Sequence, residues 1–244
     1  MTEIDETKPD SEAVGPGAEG SASRHDASWQ DTPASSSMAE AIERMELQFS
    51  SKTVDWLDQY CRLLWDWNTK INLTRHTDYD KFVRRDLLDT VRLAELLKEQ
   101  EDVLDIGTGG GVPGLVLAII RPDLQVSVCD SVAKKSRVLQ SLVGSLGLHV
   151  PVYAVRVQDV LEDMRFHSLT SRAVGSIRQQ LNWLKDHWLG FDRLLAIKGP
   201  RWTAERGEAR HHGLLNGVEL RKLSEYVMPG TDSQSVILEF RRER

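Results

Sequence analysis

Asp105, Gly107, Gly109 and Gly111 stand at alternate positions in the stretch VLDIGTGGGVPGLVLAII, Val103 to Ile120. Glycine gives a tight turn the positive φ it needs, and without a Cβ it lets the backbone lie against a ligand. The spacing D-x-G-x-G-x-G is not the dinucleotide fingerprint G-x-G-x-x-G, because Val112 occupies the third small position. Asp130 ends the next apolar run, 23 residues after Gly107. A carboxylate there can accept both hydroxyls of a ribose. Val157, Gln158 and Asp159 follow a third run, and by themselves they read either as a solvated turn or as the place an adenine would take. All these groups bind and position. The 7 histidines form no pairing with a nucleophile, so neither a catalytic triad nor a metal site is expected. His211–His212 reads as a solvated pair in a basic loop.

Such a loop needs a strand leading in and a helix leading out. DVLDIG and PGLVLAIIR supply them, with Pro113 in the first helical turn, where its missing N–H is not missed. Beyond them QVSVCD, VPVYAVRV, SLTSRAV, DRLLAIKG, GVELRKLSEYVM and SVILEFRR read as strands. AKKSRVLQSLVGSLG, ended by Gly147, and IRQQLNWLKDHWL read as helices. The alternation predicts an α/β fold with a mostly parallel seven-stranded sheet, helices on both faces and an antiparallel edge hairpin. The ligand belongs at the carboxyl ends of the first strands. Ahead of this domain (101–244), Val54, Leu57, Cys61 and Leu64 predict a helix from Ser51 to Lys70, and a second helix is expected from Asp78 to Gln100. Together they make an N-terminal helical cap over 38–100.

Composition limits the alternatives. The chain has 244 residues, 40% hydrophobic, with net charge −6. Residues 1–40 hold nine acidic and two basic residues, so the remainder is almost neutral. Residues 1–37, rich in Ser, Ala, Gly and acids, are expected to form a disordered acidic tail. The 2 cysteines, Cys61 and Cys129, are too few for a disulfide framework. Neither a secretory leader nor a membrane span is expected, which points to a cytoplasmic protein, by default a monomer.

The D-x-G-x-G-x-G loop after the first strand resembles the methionine-binding motif of Rossmann-like class I methyltransferases that use S-adenosyl-L-methionine. Flanking strings narrow the likeness. LLWDWNTKINLT, VRRDLLDT, LDIGTGGGVPGLVLAIIRPDLQVSVCDSVAKKSRVLQ, VRVQDV, SRAV and LAIKG occur in the order found in the RsmG/GidB family, over Leu63 to Gly199. That family comprises bacterial enzymes that methylate guanine N7 in small-subunit (16S) ribosomal RNA. The resemblance implies that Gly107, Gly109 and Val112 line the methionine side of the cofactor and that Asp130 holds the ribose. Val157 and Gln158 would flank the adenine, and Arg172 would sit at the mouth shared by cofactor and substrate. Arg85 and Lys198 are candidate RNA contacts, and ribosomal RNA or a ribosomal particle is the implied partner. Other basic candidates are Arg84, Lys134, Lys135, Arg137, Arg201 and Arg206, with Trp202 as a stacking group. Trp183 and Trp188 are expected in the core. Three positions depart from the family pattern: Asp86 stands for His, Thr90 for Ser, and Gln158 for an acid. Rival readings are a class I methyltransferase acting on a small molecule or protein, a nicotinamide-dependent oxidoreductase, which Val112 disfavours, and a ribosome-binding relative without catalysis.

Overall fold

The computed structural model describes residues 33–243. The first 32 residues of the expected acidic tail lie outside the described residues. By Ser35 the chain is already engaged, since its N–H donates to Asp80 at 2.7 Å. Ser37 then caps helix α1 (Met38–Arg44), and Ser50 caps α2 (Ser51–Asn68) by accepting from Thr53 N–H. These hydroxyls satisfy backbone donors that a helix start leaves open.

The second expected helix is shorter and less regular than its spacing predicts. It comprises α3 (Tyr79–Lys81), a π-helical segment (Phe82–Leu87) and α4 (Leu88–Ala94). It ends at Ala94 because the following residues turn, with Gln100 at φ 56°. The Arg121 guanidinium donates to the Ala94 carbonyl at 2.8 Å, satisfying one of the acceptors exposed at that end.

The sheet strands are β1 (Asp102–Ile106), β2 (Gln125–Cys129), β3 (Val152–Tyr153), β4 (Phe166–Arg172), β5 (Phe191–Lys198), β6 (Val218–Val227) and β7 (Gln234–Arg242). Their order is β3-β2-β1-β4-β5-β7-β6. β1 to β5 are parallel, whereas β7 runs antiparallel to both β5 and β6, as the terminal hairpin predicted. Crossovers are made by α5 (Gly114–Ile120), α6 (Ala133–Leu146), α7 (Val157–Asp163) and α8 (Ile177–Leu184), and α9 (Trp202–His211) precedes the hairpin.

Strand alternation builds a core on each face. Val103, Leu195 and Ile197 pack with α2, α5 and α6, while Leu104, Ile106, Leu194 and Ala196 pack with α7 and α8. One expected element is shortened and one helix was not foreseen. The third strand shrinks to two residues, because it pairs only with β2 at the sheet edge and Val157 turns inward to open α7. Helix α9 carries only Ala209 as a buried residue, so its apolar period is too weak to read from sequence.

Helix α5 crosses β1 and β2 very closely. A Cβ on Gly114 would lie 2.5 Å from Val128 Cγ1 and 2.9 Å from Asp105 Cβ. Gly114→Ala should therefore overpack the junction and cost about 1–3 kcal/mol. Thermal denaturation should show a fall of several degrees; an unchanged midpoint would mean the helix has room to move.

Candidate functional site

A cleft of about 550 Å³ opens at the carboxyl ends of β1, β2 and β4. Gly107, Asp130, Val157, Gln158, Val174 and Trp183 form its walls. Gly107 has φ +63°, and a Cβ there would come within 2.5 Å of Val174 Cγ1. Gly109 has φ +62° and donates its N–H to Asp130 Oδ2 at 3.0 Å. The other Asp130 oxygen accepts from Val132 N–H at 2.9 Å. Asp130 thus bridges the glycine loop and the approach to α6. Each of its oxygens keeps acceptor capacity for a ligand hydroxyl.

Asp105, the acid of the motif, has a different task. It is fully buried, and its Oδ2 accepts from Gly114 N–H and Oδ1 from the Thr170 hydroxyl. Burial pushes its carboxyl up to about 6 against those hydrogen bonds. It ties β1 to β4 and to the start of α5, and so shapes the loop from behind. Cys129, on the cleft floor, is pushed by burial up to about 12, which keeps the thiol neutral. Among the described residues, no group of three or more His, Cys, Asp or Glu can hold a metal ion.

The helical cap closes on the loop. The Tyr60 hydroxyl donates to the Gly110 carbonyl at 3.0 Å, and Leu64 and Leu73 pack where a Gly110 Cβ would be. Asn68 explains the N-x-x-x-N-L-T string: its Oδ1 accepts from Leu73 and Thr74 N–H at 2.7 and 2.9 Å and folds the chain back.

The structure distributes the expected site residues unevenly. Gly107, Asp130, Val157 and Gln158 line one cleft, with Gly109 bonded to Asp130. Val112 does not line it; half-buried, it packs against the core beside α5. Arg172 turns away towards the cap. Its Nε meets Asp89 Oδ2 at 2.6 Å and its Nη2 meets Asp86 Oδ1 at 2.6 Å. Burial alone would lower the guanidinium pKa, but the two carboxylates hold it above its ordinary value. Ala173 and Val174, which follow it, line the cleft instead, with Ala173 at φ 56°.

Lys198 is 7% exposed and donates to the Gly175 carbonyl at 2.7 Å and to Glu205 at 3.0 Å. A buried ammonium so paired is a strut between β5 and α9, ill-suited to meeting a phosphate. Arg85 is half-buried and makes no ion pair among the described residues. Trp188 is in the core, 4.8 Å from Phe191. Trp183, expected there too, packs half-buried against that core and also forms a cleft wall, because it lies on the half-buried edge of α8. Trp202 is partly buried against the core, with Arg206 stacked on its ring. Lys135 and Arg156 complete a basic rim that sequence reasoning found only in part.

The sequence model of the family "GidB: rRNA small subunit methyltransferase G" matches residues 53–232. The chain belongs to this family. It is 52% identical over 186 residues to the ribosomal RNA small subunit methyltransferase G of Rhodopirellula baltica, covering 76% of this chain and 80% of that protein. Against the protein of the same description in Neisseria meningitidis serogroup C (strain FAM18) it is 34% identical over 204 residues, covering 81% and 93%. A crystal structure of a point mutant of MtNAS overlays with TM-score 0.53 at 16% identity, over 84% of this chain and 78% of that one, which supports the fold alone. The chain is thus an S-adenosylmethionine-dependent methyltransferase of the small-subunit rRNA family. The residues present fit that cofactor: the loop at Gly107 has no space for a side chain, and Asp130 offers acceptors at the cleft wall.

Asp130→Ala should remove both the acceptor at the cleft wall and the loop tether. Each charge-assisted hydrogen bond lost is worth about 1.5–3 kcal/mol. Calorimetry should find S-adenosylmethionine binding weakened at least about tenfold, whereas unchanged affinity would remove Asp130 from the site.

Proposed function

We propose that this chain transfers the methyl group of S-adenosylmethionine to N7 of one guanine in 16S ribosomal RNA, acting in the cytoplasm as a monomer. The observation that carries the reading is the bridge from Asp130 to Gly109 at the wall of the 550 Å³ cleft, in a chain matched to the family over residues 53–232.

The cofactor, when bound, supplies a methyl group on a positively charged sulfur. The protein's contribution is alignment. Asp130 accepts from the ribose hydroxyls, Val157 and Gln158 bracket the adenine, and Gly107 with Val174 confines the amino-acid end. Gln158 replaces the family's usual acid and can still accept through its carbonyl from an adenine amino group. Guanine N7 carries a lone pair and no proton, so no general base is required to make the nucleophile. Holding N7, methyl carbon and sulfur in line is the larger part of such catalysis. The neutral Cys129 thiol does not compete as a nucleophile.

For RNA, Lys135 and Arg156 stand at the cleft rim, with Lys134 and Arg137 exposed beside them on α6. Phosphate contacts of this kind position a strand, while base contacts select the nucleotide. Trp183 offers a ring at the same wall for stacking. No helix of the described residues is long and apolar enough to cross a membrane.

Mapping N7-methylguanine in 16S rRNA from strains with and without the gene tests the reading. Loss of one modified guanine on deletion, restored by the gene, is expected; an identical pattern in both strains would refute it.

A further inference from the structure

His76 lies outside every role given above, yet its surroundings fix it firmly. Its Nδ1 is 2.9 and 3.0 Å from the two oxygens of Asp86. A carboxylate only accepts, so Nδ1 carries the proton and donates it. Asp86 is itself 2% exposed and held by Arg172, which is held in turn by Asp89, whose second oxygen accepts from the Tyr226 hydroxyl at 2.7 Å. The backbone of His76 is pinned as well. Its carbonyl accepts from Trp65 Nε1 at 2.8 Å, and its N–H donates to the Thr74 hydroxyl at 3.0 Å.

The opposite edge of the ring is different. Nε2 has no hydrogen-bond partner among the described residues, and the side chain remains 25% exposed. A carboxylate that grips one nitrogen of a histidine sets the ring's orientation and leaves the other nitrogen for a second partner. The location suits an acceptor base. The loop bearing His76 lies on Gly110 through Leu73, and the Arg172 that anchors Asp86 runs directly into Ala173 and Val174 of the cleft wall.

We propose that His76 is a substrate-recognition residue, presenting Nε2 to the target nucleotide while Asp86 and Arg172 lock the ring. This deepens the functional reading above and rests on it. Asp86, the departure from the family's usual histidine, is then the support of a histidine supplied by the preceding loop. The π-helical segment that ends at Leu87 brings Asp86 under the loop, and Asp89, three residues on, meets the same guanidinium.

His76→Asn tests this in the full chain. Its amide N–H occupies the place of Nδ1 and still reaches Asp86, but nothing replaces Nε2. The expected result is thermal stability and S-adenosylmethionine affinity close to wild type, with kcat/KM for 16S rRNA in the small ribosomal particle reduced at least about tenfold, the scale of one lost hydrogen bond. Undiminished kcat/KM, or a loss matched by equal weakening of cofactor binding, would overturn the proposal and leave His76 a structural plug. Should the variant fail to fold, wild-type protein serves. Brief diethylpyrocarbonate labelling, read by peptide mass, should modify His76 in the free protein and be blocked by the ribosomal particle; equal labelling with and without the particle overturns the proposal. Wild-type protein that leaves rRNA unmethylated would be a different failure, that of the functional reading itself.

Discussion

The interaction on which the site depends is the pairing of Arg172 with two buried carboxylates. Asp86 comes from the π-helical segment, Asp89 from α4, and Arg172 from the last position of β4. Tyr226 of β6 closes the cluster. Taking two acids and a guanidinium out of water is costly, and the cluster persists because each group has oriented partners. Burial raises the Asp89 pKa against the pull of Arg172 and the Tyr226 hydroxyl. Removing one member of such a cluster leaves an uncompensated charge, a loss of about 3–5 kcal/mol. The helical cap, the parallel sheet and the antiparallel hairpin therefore meet in one cluster, the hairpin through the bond of Tyr226 to Asp89. The two residues that follow, Ala173 and Val174, form part of the cleft wall.

A second link runs along the cap. Tyr60 holds the Gly110 carbonyl, and Asp130 holds the Gly109 N–H from the other side. The glycine loop is gripped at adjacent residues by groups from two different layers. That division explains how a run of glycines, costly in backbone entropy, keeps one shape. It also makes the cap a component of the site. At the opposite end of the sheet Arg193 plays a comparable part, reaching Glu101 on one strand connection and Glu239 on β7. That end shapes stability and leaves the carboxyl ends free for chemistry.

Features set by local pattern were legible in the sequence. The glycine phase located the loop, the apolar runs located β1, β2, β5 and the terminal hairpin, and Gly147 marked the end of α6 with φ +63°. The place of Asp130 at the cleft wall was legible because it directly follows a strand. Arg172, Lys198 and Val112 were not, for their surroundings come from distant segments. Lys198 meets Glu205 and Gly175, and Arg172 meets acids more than eighty residues earlier in the chain. No local period reports which of several basic residues will be buried and paired. For Trp183 the helical spacing read correctly as core contact, but only the turn of α8 shows that it also lines the cleft.

Cap and cleft wall are held as one unit through Arg172. Amide hydrogen exchange on Arg172→Met, a substitution of similar length without charge, tests it most directly. Protection should fall first across residues 51–94 and the segment after β4, while β1 and β5 stay protected. Wild-type protection throughout the cap would contradict it.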